Sequence, residues 1–230
     1  MPLDTQVHPA VRHPSVPYVL PFVVFIAFLA VQHYAKLPET LDLPLRLVVL
    51  TAVLALFSRR AISFRTRSAA FSVLLGIVVF GIWVAPDLLF PHYREHWIFQ
   101  NKILGSLSSS VPENLRSDPL ALACRSIRAV ILVPIIEELF WRAWLMRWLI
   151  NQRFDAVPLG TFAAGSFWIT AAMFALEHGP YWEVGLIAGV LYNAWMVRTR
   201  SLGDCILAHA ATNACLCAYV IATGQWQYWL

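Results

Sequence analysis

The sequence predicts an all-α protein, a polytopic membrane bundle of about seven transmembrane helices. Of its 230 residues, 59% are hydrophobic and only 13% are charged, whereas soluble domains carry about 25% charged residues. Long apolar runs recur along the chain, at the roughly 17 to 25 residues that a helix needs to cross a bilayer. The composition therefore excludes an ordinary soluble domain and indicates the lipid bilayer as the surroundings of most of the chain.

Five of the apolar runs are long enough to cross a membrane by themselves. They cover residues 16–35, 69–90, 158–178, 181–198 and 203–223. Two further runs are less uniform: residues 43–57 are short, and residues 118–150 carry Arg125 and Arg128 before their apolar half begins. Both are needed to reach seven helices. Between the third and the fourth helix, residues 91–110 mix basic and aromatic side chains, and we expect an interfacial helix there.

The basic residues indicate membrane topology and not a nucleic-acid partner, although the net charge is +4. They stand in three short loops beside apolar runs, with Arg59, Arg60, Arg65 and Arg67 in the first, Arg147 and Arg153 in the second, and Arg198 and Arg200 in the third. Lysine and arginine are enriched in cytoplasmic loops. We therefore expect these three loops and the N-terminus on the cytoplasmic side and the C-terminus on the other.

Ionisable and amide side chains inside apolar segments concentrate after about residue 118. They are Glu137, Glu138, Arg142, Glu177, His178, His209 and Asn213. An ionised side chain in hydrocarbon is costly unless it is paired, hydrated or neutralised, so such residues point to function. We divide the chain into residues 1–117, with N-terminal membrane helices and the interfacial segment, and residues 118–225, with the chemistry.

The first of these polar helices contains two adjacent glutamates. Glu138 and Arg142 are four residues apart and share a helix face, so we expect an ion pair. Glu137 points away from that pair and is left available for other work. Pro134 cannot donate to the carbonyl of Val130, and a kink there would make room for water. The alternative is that both glutamates only hold helices together.

The next polar helix ends at a histidine. Phe174 and His178 are four residues apart on one face, and the pair Gly179 and Pro180 ends the helix directly afterwards. An imidazole that titrates near neutral pH can act as a general acid or base. A purely structural histidine is the alternative. Glu177 is expected to point elsewhere, towards the interface.

The last helix carries His209 and Asn213, again four residues apart, among alanines and cysteines. Small neighbours allow helices to approach closely. Two neutral donors on one face are suited to stabilising a developing oxyanion. The alternative is that both side chains only hydrogen-bond neighbouring helices together.

The three patterns EExxxR, FxxxH and HxxxN, in this order, resemble the motifs of the CPBP family. This family includes type II CAAX prenyl endopeptidases and bacterial bacteriocin-processing or immunity proteins. The resemblance covers about residues 118–223. The surrounding segments "EELFWR", "FALEHGPYW", "DCILAHAATN" and "ATGQW" are also similar to a bacterial CAAX-protease-related subgroup associated with exosortase systems.

The resemblance implies an intramembrane, glutamate-dependent endopeptidase of a bacterial inner membrane. By motif position, Glu137 and His178 would activate a water molecule. His209 and Asn213 would hold the oxyanion. The supporting residues would be Glu138, Arg142 and Phe174. The substrate would be a membrane-associated protein or a lipidated peptide. No cofactor is expected.

Two other functions use the same residues. A zinc-dependent protease would take Glu137, His178 and His209 as ligands, although the chain has no HExxH motif and Asn213 is a poor zinc ligand. A non-enzymatic binding or immunity protein, or a proton-coupled carrier, would use the buried groups for recognition or proton relay. The lack of paired repeats in the sequence argues against a transporter.

The depth of the motif residues conflicts with a simple bundle. At about 1.5 Å per residue from the cytoplasmic ends, His209 would be shallow, Glu137 near the middle and His178 deep. Residues of one site must lie at one depth. We therefore expect staggered or tilted helices, or errors in these boundaries.

Overall fold

A computed structural model describes residues 13–31, 37–101, 104–107, 109 and 111–229, and these ranges contain seven helices and no β-strand. The helices are α1 (Val16–Val31), α2 (39–58, an α-helix over Glu39–Val53 continued by a π-helical turn over Leu54–Ser58), α3 (Ala69–Leu89), α4 (Pro119–Trp148), α5 (Ala164–Glu177), α6 (Trp182–Thr199) and α7 (Leu202–Thr223). The predicted all-α bundle of seven helices is confirmed.

Among the helices of the described ranges, four are long and apolar enough to cross a membrane. They are α2, over Leu41–Ser58, and the whole of α3, α4 and α7. Large apolar side chains cover their outer surfaces; Leu56 and Phe71, for example, are 71% and 65% exposed. Such surfaces are stable only when lipid replaces water. The chain is therefore an integral membrane protein.

The interfacial helix predicted for residues 91–110 is wrong. The described residues of this segment form turns, with one 3₁₀ turn over Tyr93–Glu95. His92 has a φ of 61°, which no α-helix tolerates. Arg94 is 3% exposed, because it turns towards acceptors inside the bundle and not towards a membrane surface. The predicted residues 32–35 of the first run, and the N-terminal arm over 1–12, lie outside the described residues.

The three basic loops meet at one end of the bundle. Ser201 Oγ donates a 2.8 Å hydrogen bond to the carbonyl of Arg65, which joins the third loop to the first. Gly160, in the second loop, lies so close to Arg200 that a β-carbon would overlap that side chain. The grouping that the charge pattern indicated is present. The assignment of this end to the cytoplasm stays a prediction.

Small residues set the close approach of the helices around the later site. A β-carbon on Gly76 of α3 would overlap the carbonyl of Ala208 in α7, and one on Gly189 of α6 would crowd Ala171 in α5. Contacts of this kind let membrane helices associate through backbone packing, since lipid offers no hydrophobic drive. The two pairs α3–α7 and α5–α6 therefore form the rigid frame.

A buried arginine fixes the other end of the bundle. Arg94 pairs with Asp87 at 2.9 Å and with Glu183 at 2.8 Å. Its Nη1 donates to the carbonyl of Pro180 at 2.9 Å, and its guanidinium lies 4.0 Å from the centre of the Tyr181 ring. The segment after α3 is thus bound to the turn that follows α5. This turn positions the last residues of α5.

Candidate active site

Helix α4 is not a regular α-helix. Two π-helical segments, Arg128–Leu132 and Leu139–Leu145, flank a short α-helical segment over Val133–Glu138. A π-helical turn contains one more residue than an α-helical turn, and such turns occur frequently at functional sites. The two adjacent glutamates end the short α-helical segment, between the two irregular turns.

Pro134 and Asn213 together explain the first irregular segment. The Val133 N–H donates to the carbonyl of Arg128, five residues earlier. With the same five-residue spacing, the N–H of residue 134 would donate to the carbonyl of Ala129, but proline has no N–H. Asn213 Nδ2 donates to that carbonyl instead, at 2.8 Å. A side chain of α7 therefore satisfies the backbone group that the proline leaves open.

Glu138 is the centre of a buried polar network. Its Oε1 accepts hydrogen bonds from Arg142 Nη1 at 3.0 Å and from His209 Nδ1 at 2.9 Å. Arg142 also donates to Asn193 Oδ1 at 3.1 Å, and its guanidinium lies 4.4 Å from the Phe174 ring centre. The ion pair predicted from the four-residue spacing is confirmed. The network also joins α4 to α5, α6 and α7.

Glu137 has no such partners. Its side chain is almost fully buried, and its Oε2 has no hydrogen-bond partner among the described residues. It lines a cavity of about 630 Å³ that lies between the helices. The sequence-based expectation that this carboxylate stays free is confirmed. A buried acceptor without a donor is costly, and it therefore calls for a functional explanation.

The tautomer of His178 follows from its hydrogen bond. Its Nδ1 lies 2.7 Å from the carbonyl oxygen of Phe174. A carbonyl only accepts, so Nδ1 carries the proton, and the neutral ring presents a lone pair on Nε2. The rings of Phe174 and Trp83 hold the imidazole, with centroids 4.6 Å and 5.1 Å away. His178 therefore offers a fixed acceptor at the wall of the same cavity.

His209, on α7, is held in a similar way. Its Nδ1 bonds to Glu138, and its ring stacks on Tyr192 with centroids 5.2 Å apart. The hydroxyl of Tyr192 is in turn 2.7 Å from Thr212 Oγ1. The position and orientation of the imidazole are therefore fixed on two sides, and its Nε2 has no hydrogen-bond partner among the described residues.

The structure brings the predicted site residues together. The cavity is lined by Glu137, Phe174, His178, His209 and Asn213, while Glu138 and Arg142 lie directly behind it. Helix α5 begins at Ala164, six residues after the start of the predicted run at 158, because Gly160 belongs to a turn with a φ of 73°. The shift moves His178 about 9 Å along the helix axis. Helix stagger therefore removes the conflict of depths.

Two residues were misjudged or missed at the level of sequence. Glu177 was expected to point elsewhere, which is wrong: it lines the cavity and accepts a 3.2 Å hydrogen bond from Trp141 Nε1. The reason is that α5 ends at this residue, so its side chain and the next both reach the cavity. Asn193 was not identified, although an amide within an apolar helix was a usable signal. It fixes Arg142 and also donates to the carbonyl of Phe167 at 2.8 Å.

The zinc alternative needs a tight ligand cluster. Within the described parts of the chain, no three histidine, cysteine, aspartate or glutamate side chains are grouped closely enough to hold a metal ion. The three proposed ligands do line one cavity. Metal dependence is therefore a question for a chemical experiment.

Residues 119–215 match the family model described as type II CAAX prenyl endopeptidase Rce1-like. This stretch contains all three motifs and every residue that the sequence predicts for the site. Neither the curated proteins nor the solved structures give a significant match. The family match is the finding that connects this cavity with a known class of protein.

Proposed function

We propose that the chain is a membrane protease of the type II CAAX prenyl endopeptidase kind, because residues 119–215 match the Rce1-like family model, and that Glu137 and His178 activate the water molecule for peptide hydrolysis. The family match supports a membrane protease that acts on a protein substrate. The single observation that carries the residue assignment is the buried, unpartnered carboxylate of Glu137 in the cavity that His178 also lines.

The chemistry of water activation fits the two side chains. A general base must hold a lone pair within hydrogen-bond reach of the proton that it abstracts. Glu137 is not neutralised by an ion pair, since Arg142 is bound to Glu138. The fixed Nε2 lone pair of His178 accepts the second hydrogen of the water and orients its attacking oxygen. The carboxylate then takes the proton as the oxygen attacks the carbonyl carbon.

The oxyanion of the tetrahedral intermediate needs donors. Asn213 uses one amide N–H for the carbonyl of Ala129, and a second N–H remains for the substrate. His209 gives its Nδ1 proton to Glu138, so a donor at Nε2 requires the imidazolium form. The carboxylate of Glu138 lies 2.9 Å from Nδ1 of the ring. Together the two residues supply the oxyanion hole.

The finer assignments rest on sequence resemblance. We propose a membrane-associated or lipidated protein as the substrate, the bacterial inner membrane as the location and an association with exosortase systems. The division into an N-terminal helical part over 1–117 and a catalytic core over 118–225 stays a prediction. The cavity has the volume of a typical small-ligand site, so it accommodates a short peptide segment and not a folded domain.

The proposal is tested by comparing the wild-type protein with Glu137→Gln in reconstituted membranes. Both are incubated with membrane proteins of a bacterial host, and mass spectrometry identifies new chain termini. We expect termini that form only with the wild type, with a rate lower by about 10²- to 10⁴-fold in the variant. Glu113→Gln is the matched control, because Glu113 is exposed and lies outside the cavity. Equal cleavage by wild type and Glu137→Gln contradicts the mechanism.

A zinc protease is the second candidate, and one observation favours it. Both histidines bind an oxygen acceptor through Nδ1, which is the arrangement of zinc-binding histidines in many metalloenzymes. The same cleavage assay with a chelator separates the two mechanisms. Activity that disappears with the chelator and returns with zinc makes Glu137, His178 and His209 ligands. Unchanged activity supports direct water activation, and absence of any wild-type cleavage supports a binding or immunity protein.

A further inference from the structure

The same cavity contains a second charged residue without a partner. Arg128 lies in the first π-helical segment of α4, is 6% exposed and lines the cavity. It makes no hydrogen bond and no ion pair within the described parts of the chain. The other four buried arginines all have acceptors: Arg46 in Asp42, Arg94 in Asp87 and Glu183, Arg142 in Glu138 and Asn193, and Arg147 in the carbonyls of Ala143 and Val157.

The surroundings of Arg128 do not neutralise it. Asp42 is the acidic residue whose negative charge attracts the Arg128 guanidinium. Its carboxylate already forms an ion pair with Arg46, at 2.7 Å. Arg125, one turn earlier on α4, lines the same cavity and adds another positive charge. Burial of an uncompensated cation costs several kcal/mol. This part of the cavity is therefore built for an anion.

The irregular helix brings the anion site and the free carboxylate to one cavity. Arg128 and Glu137 are nine residues apart, which in a regular α-helix places them on opposite faces, at about 100° per residue. In the π-helical turn over Arg128–Leu132 the rotation about the helix axis per residue is smaller than in an α-helix. Both side chains therefore line the cavity. Their separation along the axis is about 13 Å at about 1.5 Å per residue. An extended peptide covers this distance with about four residues, at about 3.3 Å each.

We propose that Arg128 binds a carboxylate of the peptide substrate about four residues from the bond that is cleaved. The inference rests on the proposed function, since the opposite end of the same peptide segment must reach Glu137. Guanidinium and carboxylate form two parallel hydrogen bonds, which fix position as well as charge. The carboxylate is either the C-terminus of the substrate or an aspartate or glutamate side chain.

The test uses three versions of one peptide library. The first has a free C-terminal carboxylate and no internal acid, the second is its C-terminal amide, and the third is the amide with internal aspartate and glutamate. The full-length protein is assayed in a maltoside detergent without phosphate or added phospholipid. We expect one or both acidic libraries to be cleaved about 10- to 100-fold more efficiently than the neutral amide. The library that is preferred identifies the source of the carboxylate.

Arg128→Gln should remove this preference through KM, so that the variant cleaves the acidic libraries no more efficiently than the neutral amide. Arg128→Lys keeps the charge and should keep part of the preference, so it replaces the glutamine variant if that variant does not fold. Arg198→Gln is the control, because Arg198 is exposed at the end of α6. An equal preference in wild type and Arg128→Gln contradicts the inference. So does a wild type that does not discriminate, or a dependence on Arg128 that appears only when anionic phospholipid is added.

A binding measurement separates this inference from the proposed function. The acidic and amide libraries are titrated against Glu137→Gln, with and without Arg128→Gln, by fluorescence anisotropy. Tighter binding of an acidic library that is lost with Arg128→Gln supports the anion site even if the wild type cleaves nothing. Equal binding of all libraries contradicts the site even if Glu137-dependent cleavage is observed.

Discussion

Two adjacent glutamates of α4 face two differently built regions of the molecule. Glu138 lies in a network in which arginine, histidine and asparagine side chains join four helices. Glu137 lies at a cavity wall where a buried carboxylate oxygen and a buried arginine lack partners. Both glutamates are almost fully buried. Burial therefore does not distinguish them, and in each the Oε2 atom lacks a partner among the described residues. They differ in that Glu138 accepts two hydrogen bonds through Oε1, whereas Glu137 has no side-chain hydrogen bond to the described residues.

The difference separates folding from function. A buried polar group that is satisfied within the protein contributes to a unique structure. One that is left unsatisfied lowers stability and persists where a substrate, a water molecule or an ion completes it. On this basis the network around Glu138 holds the helices in place, and the cavity around Glu137 receives the reactants.

The largest effect is expected on breaking the network. Glu138→Ala leaves Arg142 buried without its acid and should lower the free energy of unfolding by about 3–5 kcal/mol. Activity should fall with it. Thermal unfolding in detergent measures the change. A double variant, Glu138→Leu with Arg142→Met, removes both charges and should recover much of the stability without activity. A double variant as unstable as Glu138→Ala would show that the ion pair is not the cause.

His209 belongs to both regions, so its removal should affect both. His209→Ala should slow turnover by about 10²- to 10³-fold, the usual effect of losing one oxyanion donor. The rate constant of the chemical step, measured on the folded fraction under single-turnover conditions, isolates this effect from any loss of stability. His96→Ala serves as a control, since His96 is exposed. An unchanged rate constant would remove His209 from the oxyanion hole.

The smallest effect concerns the irregular turn of α4. Asn213→Ala leaves the carbonyl of Ala129 without a donor and should lower stability by about 1–3 kcal/mol. In a Pro134→Ala background the helix regains a backbone N–H in this turn, so the same substitution should cost clearly less. A double-mutant cycle measures this coupling. Additive effects would show that the asparagine does not replace the missing amide.

Much of the architecture could be predicted from the chain. Apolar run lengths gave the helices, and the four-residue spacing of Glu138 and Arg142 gave their ion pair, because both depend on local helix geometry. Pro134 was correctly identified as an irregularity. The carbonyl that needs a new donor is, however, that of Ala129 and not that of Val130. The register of a π-helical turn depends on the packing of other helices, which periodicity does not encode.

The sequence predicted residues that do line the cavity, but it did not predict all of the residues that line it. Sequence spacing could not show that Glu177 faces the cavity, because this depends on where α5 ends in space. In the sequence, Arg128 is only a charge that interrupts an apolar run. Its lack of an acceptor became visible once every other buried arginine had been paired. Long-range pairing of this kind requires the tertiary structure.

The stability of Glu137→Gln tests the central claim most directly. Thermal unfolding of the purified variant is measured in detergent beside the wild type and Glu138→Ala, together with cleavage of membrane-protein substrates. If the free carboxylate serves function and not folding, Glu137→Gln is at least as stable as the wild type and cleaves about 10²- to 10⁴-fold more slowly. A Glu137→Gln protein that is destabilised as strongly as Glu138→Ala would contradict the account, because Glu137 would then be part of the structural network.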